Sequence, residues 1–304
     1  MSPGAPSIAW INRGGPDGRW GAPGALALPA DARGLLLAEG VFETVLVQGG
    51  RPRLLAAHLE RWHQGATLLG LPAPPGRALI APLAGEAISR SGIDSGALRL
   101  NWCRGSSARG LEPIAPDAPD GALCWLQLSS AEPRFAPVRV IVSATEMRQA
   151  TSLLSRCKTF AYGSALIARR QAREAGADDA LLTSSAGGLC CASSANLLIR
   201  LDGRWLTPPV ASGCLPGIMR QRALDLGVAI EAAISTEALR RSDGALLLNS
   251  LGCRPIHGLC HSDGQEPATL VAIGATEAER FWRRLLESDG ASDGAQKQPW
   301  VEMR

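Results

Sequence analysis

Three observations predict an α+β protein built as two units. Strand-like runs follow one another with only occasional helical stretches between them. No G-x-G-x-x-G turn follows a strand and opens a helix, which argues against a doubly wound sheet. A segment at 130–137 carries Pro133 and Pro137 and separates two apolar strands with no helix between them. The expected organisation is a smaller unit over 1–130, a linker at 131–136, a larger unit over 137–290 and a polar tail at 291–304. A length of 304 residues is ample for a real core in each.

The elements follow in order. Residues 7–12 alternate as a first strand and end in the turn-rich Arg13-Gly14-Gly15-Pro16-Asp17-Gly18. A stronger strand at 41–47 is closed by the hairpin turn Gln48-Gly49-Gly50. The period then changes, because Leu55, Leu59, Trp62, Ala66 and Leu69 share one helical face, and Pro72 and Pro74 stop that helix. A second amphipathic helix spans about 76–91, and strands at 97–103 and 122–128 flank a Gly/Ser/Arg loop. Past the boundary come a strand at 138–142 and a helix at 161–175 ended by Gly176. A hairpin turns at 184–188, and a second is signalled by Asp202-Gly203 between 197–201 and 204–206. A helix at 217–226, a strand at 229–231, a short helix at 236–240, a strand at 245–249 and a helix at 275–286 complete the second unit.

Composition removes several function classes. With 46% hydrophobic and 19% charged residues the chain is not mostly disordered. The net charge of +3 is small and the arginines are scattered, so no nucleic-acid partner is expected. Nothing approaches the roughly 20 apolar residues of a membrane span, so no membrane partner is expected either. Eight cysteines include the adjacent Cys190 and Cys191 but no C-x-x-C pair, and Met1-Ser2-Pro3-Gly4 is not a secretory leader. Free thiols in a reducing cytoplasm are therefore expected. His257 and His261 have helical spacing, but Gly258 and Gly264 around them suggest a loop, and no metal site is expected.

The basic residues point to chemistry. Of 31, all but Lys158 and Lys297 are arginine, and Lys297 lies in the polar tail. Only a lysine can shed its proton near neutral pH and attack a carbonyl. Lys158 stands in Arg156-Cys157-Lys158-Thr159-Phe160-Ala161-Tyr162, just before a helix. Burial there would lower its pKa and suit it to Schiff-base formation, although a solvated lysine fits the same local sequence. Tyr162, the one tyrosine, sits four residues on. Pro216-Gly217-Ile218 leads into a helix whose first N–H groups could bind an anion. Asn249-Ser250-Leu251 ends a strand in small polar residues, and Arg61 is a possible charged partner or a solvated arginine. Arg104, Arg109 and Arg254 are candidates to clamp carboxylates, and equally plain surface charges.

In this order the pieces resemble the fold-type IV pyridoxal-phosphate enzymes, which include the branched-chain and D-amino-acid aminotransferases and aminodeoxychorismate lyase. The resemblance rests on Glu39-Gly40-Val41-Phe42-Glu43-Thr44, His58-Leu59-Glu60-Arg61, Lys158, Asp178-Asp179-Ala180-Leu181-Leu182, Ser194-Ala195-Asn196-Leu197-Leu198 and Leu215-Pro216-Gly217-Ile218-Met219-Arg220, and it covers about 8–256. It implies a two-domain D-amino-acid aminotransferase-like α+β fold with the cofactor cleft between the domains. It also implies a homodimer in which the partner supplies a loop to each site. The implied cofactor is pyridoxal 5'-phosphate, with Lys158 as Schiff-base lysine and Tyr162 near the ring 3-hydroxyl. Arg61, Gly217, Ile218 and Ser250 or Leu251 would hold its phosphate, with Asn196 and Cys191 beside it. Arg104, Arg109 and Arg254 would meet the carboxylate of a small amino substrate.

The segment 104–110 and the run Cys191-Ala192-Ser193-Ser194-Ala195-Asn196 look most like the lyase branch. That implies release of pyruvate and 4-aminobenzoate from 4-amino-4-deoxychorismate, as in folate biosynthesis. The alternatives are a class IV aminotransferase for branched-chain or D-amino acids and a weakly active cofactor-binding homologue. One departure carries weight: Cys191 stands where the family has a glutamate that pairs with the pyridine nitrogen. Glu39 for an aspartate and Leu37 for an aromatic residue are milder departures.

Overall fold

A computed structural model describes residues 7–12, 18–106, 110–112, 121–260, 268–271 and 273–287. The first unit contains strands β1 (Ser7–Asn12), β2 (Arg19–Gly21), β3 (Gly40–Gln48), β4 (Arg51–Pro52), β5 (Gly96–Cys103) and β6 (Leu123–Ser130). Its helices are α1 (Arg33–Leu36), α2 (Leu55–Leu68) and α3 (Arg77–Ser91). The strands form an antiparallel sheet in the order β2-β1-β6-β5-β3-β4. The apolar helical face foreseen at Leu59, Trp62 and Ala66 packs with Ile80, Ala84 and Ala87 of α3 against Val45, Leu98 and Leu126 of the sheet. Burial of that stripe, not helix propensity, holds α2 and α3 in place.

The second unit contains β7 (Val138–Arg148), α4 (Leu153–Arg156), α5 (Gly163–Glu174), β8 (Asp179–Ser184), β9 (Leu189–Ala192), β10 (Asn196–Leu201) and β11 (Arg204–Thr207). It continues through α6 (Ile218–Asp225), β12 (Ala229–Glu231), α7 (Thr236–Arg241), β13 (Gly244–Asn249), β14 (Gly252–Leu259), β15 (Ala268–Thr269) and α8 (Ala275–Glu287). The sheet order is β12-β11-β10-β13-β14-β7-β8-β9, with β15 on β14. β9 returns to pair with β10, so six of these strands close on themselves as a barrel. The closing pair is Cys191 with Asn196. Trp282 of α8 covers the outside and donates from its indole to the Asn249 carbonyl at 3.0 Å.

Several local expectations change. The strand expected at 138–142 runs on to Arg148 because a register shift against β8 after Val142 lets pairing resume at Met147. His257, expected in a loop, lies inside β14, where pairing with β7 and β15 outweighs its flanking glycine. His261, Arg109, Lys297 and the tail at 291–304 lie outside the described residues, as does most of the turn at 13–18. The short α1, α4, β2, β4 and β15 have no periodic signature long enough to predict. No described helix is long and apolar enough to cross a membrane. All eight cysteines are unpaired and buried.

Candidate active site

A cavity of about 520 Å³ opens between the antiparallel sheet and the barrel, lined by residues of both. Lys158 reaches it because of how its segment crosses between the units. Ser152 caps α4 by accepting from the Leu154 N–H, and the chain then leaves α4 and pairs with β3. The Phe42 N–H donates to the Lys158 carbonyl at 2.8 Å, and the Phe160 N–H donates to the Gly40 carbonyl at 3.1 Å. A Cβ on Gly40 would lie 2.4 Å from the Phe160 ring, so glycine permits this close approach. The Lys158 side chain is half-buried at the cavity wall. Its Nζ donates to Tyr162 Oη at 3.1 Å and sits 4.3 Å from the Phe42 ring centroid.

A buried charge network builds the other end. Glu43 on β3 accepts from Arg61 Nε and Nη2, each at 2.7 Å, and from His58 Nδ1 at 2.7 Å. Arg61 and His58 come from α2, three residues apart on one helical face. Burial would raise the Glu43 pKa, but the Arg61 charge and the hydrogen bonds from Arg61 and His58 outweigh it and hold the carboxyl well below the usual range. His58 is shifted down by burial, which outweighs the pull of Glu43, so it is neutral with its proton on Nδ1. Its bare Nε2 then accepts from Ser250 Oγ at 3.3 Å.

Arg61 also spans to the barrel, with Nη1 donating to the Pro216 carbonyl at 3.0 Å. That contact places its guanidinium beside the start of α6, whose first turn has no side-chain cap. Asn196 shapes the same turn: Nδ2 donates to the Leu215 carbonyl at 2.9 Å, and Oδ1 would stand 1.9 Å from a Cβ on Gly217. Only glycine fits there. Pyridoxal phosphate, implied by the resemblance, suits this cradle: an arginine, uncapped helical N–H groups and a glycine-only approach for its phosphate, with an amine for its aldehyde across the same cavity.

The cavity wall includes Lys158, Arg61, Tyr162, Cys191, Asn196, Gly217, Ile218, Ser250 and Leu251, nine positions singled out in the sequence. The Leu251 N–H donates to Asn249 Oδ1 at 2.8 Å. The Ser250 hydroxyl is committed to His58, which leaves its backbone N–H for an anion.

Two of the three expected carboxylate clamps, Arg104 and Arg254, do not line this cavity. Arg104 is buried elsewhere, donating to the Gly70 carbonyl at 2.9 Å with Nε 3.6 Å from Glu39, because its polar ends are needed to hold the loop after β5. Arg254 lies on β14 and donates to the Ala136 carbonyl at 3.1 Å, so it serves the linker.

Two other arginines stand in the wall instead. Arg99 of β5 lies 3.6 Å from the Phe42 ring centroid and donates to Asn101 Oδ1 at 2.8 Å. Arg148, carried in by the extension of β7, donates to the carbonyls of Gly213 at 3.1 Å and Ser155 at 3.2 Å. Neither has a carboxylate partner among the described residues. A signal for Arg99 was present, as the one charge in the apolar run 97–103, facing away from Leu98 and Leu100. Arg148 had none, because its strand outran its pattern.

Comparison with known proteins gives the family. The family model for amino-transferase class IV matches residues 40–259. A bifunctional aminodeoxychorismate lyase / D-amino acid transaminase of Mycobacterium tuberculosis is 30% identical over 251 residues, 75% of this chain and 82% of that protein. A putative 4-amino-4-deoxychorismate lyase from Legionella pneumophila superposes with a TM-score of 0.76 at 25% identity, covering 86% of this chain and 96% of that one. A hypothetical aminotransferase from Mycobacterium tuberculosis in its PLP-bound form gives a TM-score of 0.76 at 25% identity, over 92% and 99% of the two chains.

Proposed function

Because the chain belongs to the class IV aminotransferase family and is a pyridoxal-phosphate enzyme of lyase or aminotransferase type, we propose that its reaction is the lysis of 4-amino-4-deoxychorismate to pyruvate and 4-aminobenzoate. The observation that carries this reading is the pair Arg99 and Arg148 in the cavity wall, both without a carboxylate partner among the described residues. Two guanidiniums beyond the phosphate cradle suit a substrate with two carboxylates, which the dihydroaromatic substrate has and a branched-chain amino acid lacks. The 30% identity to a protein named as a lyase and D-amino acid transaminase supports the same choice.

The cofactor supplies an aldehyde that bonds to amines and a conjugated ring that spreads negative charge from the adjacent carbon. Arg61, the first N–H groups of α6 at Ile218 and Met219, and the Ser250 N–H hold its phosphate in this reading. Lys158 would hold the aldehyde through its amine. The Lys158 amine would also take the proton from the ring carbon that bears the substrate nitrogen. The electron pair released there expels the enolpyruvyl oxygen, the ring becomes aromatic, and a proton returned to the departing methylene carbon gives pyruvate. Tyr162, 3.1 Å from Nζ, holds the lysine in place through this exchange. Arg99 and Arg148 bind the substrate carboxylates.

Amino-group exchange is the second reading, supported by the transaminase half of the same relative's name. Product analysis separates them. Pyruvate and 4-aminobenzoate formed without an added keto acid support the lyase, and strict dependence on a keto acid sinks it.

A further inference from the structure

The charge inventory of the cavity leads beyond the reaction. Among the described lining residues are four cationic side chains, Arg61, Arg99, Arg148 and Lys158, and no aspartate or glutamate. Two buried carboxylates stand behind the wall, and both are hydrogen-bonded there. Glu43 is held by Arg61 and His58. Asp179 accepts from Ser193 Oγ at 2.5 Å, from Arg169 at 2.7 Å and from the Ala180 N–H at 2.8 Å. Neither carboxylate lines the cavity.

We propose that this chain carries pyridoxal phosphate with its ring nitrogen unprotonated, because no side chain in the described cavity wall can supply the acid that would hold a proton there. A pyridine nitrogen is a weak base, and at neutral pH it keeps a proton when a carboxylate accepts the hydrogen bond and balances the charge. Here a protonated ring would add a positive charge that no carboxylate among the described lining residues balances. The closed end of the barrel offers only neutral groups, the Cys191 thiol and the Asn196 amide. A thiol is a poor hydrogen-bond acceptor and brings no negative charge of its own. The orientation of the ring does not alter this, since the acid is missing from every described side of the cavity.

The inference rests on the chain being a pyridoxal-phosphate enzyme and refines what that cofactor does here. An unprotonated ring drains less charge from the substrate carbon. Reactions that supply their own driving force, such as an aromatising elimination, then lose little. Amino-group exchange, which parks the charge on the cofactor, loses more. Cys191 is thereby a specificity-determining position.

The test uses the full-length holoenzyme loaded with cofactor labelled with nitrogen-15 in the ring, whose NMR resonance distinguishes pyridine from pyridinium. The expected wild-type resonance at neutral pH is that of the neutral ring, moving to the pyridinium position in Cys191→Glu. A pyridinium resonance in the wild type overturns the proposal. So does a loaded Cys191→Glu enzyme that keeps the neutral resonance. If the longer side chain prevents loading, Cys191→Asp takes its place, and the wild-type resonance decides on its own. Pyruvate release is measured separately. A lyase with a pyridinium ring sinks this inference alone, whereas a neutral ring without pyruvate sinks the lyase reading alone.

Discussion

The arginine beside the start of α6 and the two arginines elsewhere in the cavity wall live under different electrostatic terms. Arg61 is bound in two places by Glu43, a carboxylate with no exposed surface, so its charge is balanced before any ligand arrives. Arg99 and Arg148 are held only by neutral groups: an amide, a ring face and two backbone carbonyls. The first arrangement builds a permanent part of the scaffold. The second leaves charge to be balanced by whatever enters, and in a confined cavity of low dielectric that favours a multiply anionic ligand. Permanence and readiness are thus written in the partners of the guanidinium, not in the residue type.

Substitutions can break the contrast at either end. Lys158→Ala, which removes the lysine amine from the cavity wall, should show the largest effect: a loss of about 10²–10⁴-fold in turnover from the acid–base role alone. The visible absorbance of the lysine-bound cofactor should vanish with it. Glu43→Gln should come next, because Arg61 would be left a buried cation without its counter-charge. A cost of about 3–5 kcal/mol in folding stability is expected, measured by denaturant titration, with weaker cofactor retention.

Arg99→Gln should leave folding stability within about 0.5 kcal/mol and act on substrate instead. Loss of one charged hydrogen-bonded contact, about 1.5–3 kcal/mol, predicts a rise in KM on the order of 10–100-fold at little change in cofactor affinity. A stability loss as large as that of Glu43→Gln would remove the distinction between balanced and unbalanced arginines.

The pH dependence sharpens the same contrast. Glu43 and His58 both titrate below their ordinary values of 4.5 and 6.5 in the folded state. The unfolded chain therefore binds more protons in those windows, and stability falls as pH drops below about 6.5 through His58 and further below about 4.5 through Glu43. His58→Gln should abolish the upper step, checked by unfolding midpoints from about pH 7 to 5. The smallest effect is expected for Ser250→Ala, within about threefold in cofactor affinity, because the hydroxyl is turned to His58 and the backbone N–H remains. A tenfold loss would show that the hydroxyl serves the anion.

Much of this was legible in the chain. The helix face of Leu59, Trp62 and Ala66, the turn at Asp202-Gly203 and the rarity of lysine each rest on neighbours in sequence, and local spacing expresses them directly. Arg104 misled because its local setting, a Gly/Ser loop after a strand, is equally that of a ligand clamp and of a loop anchor. His257 misled because one glycine beside it weighed more locally than pairing with strands far away in the chain.

What the sequence by itself determined is the set of longer elements, the order of motifs and the identity of the one lysine among the described residues, all properties of short stretches. Which charges meet was decided only by the tertiary structure. Arg61 finds Glu43 18 residues away and the Pro216 carbonyl 155 residues away, while Arg99 and Arg148 find no carboxylate among the described residues. Electrostatic balance acts through space over a few ångströms, and chain order carries no record of those distances until β3, α2 and the barrel have packed together.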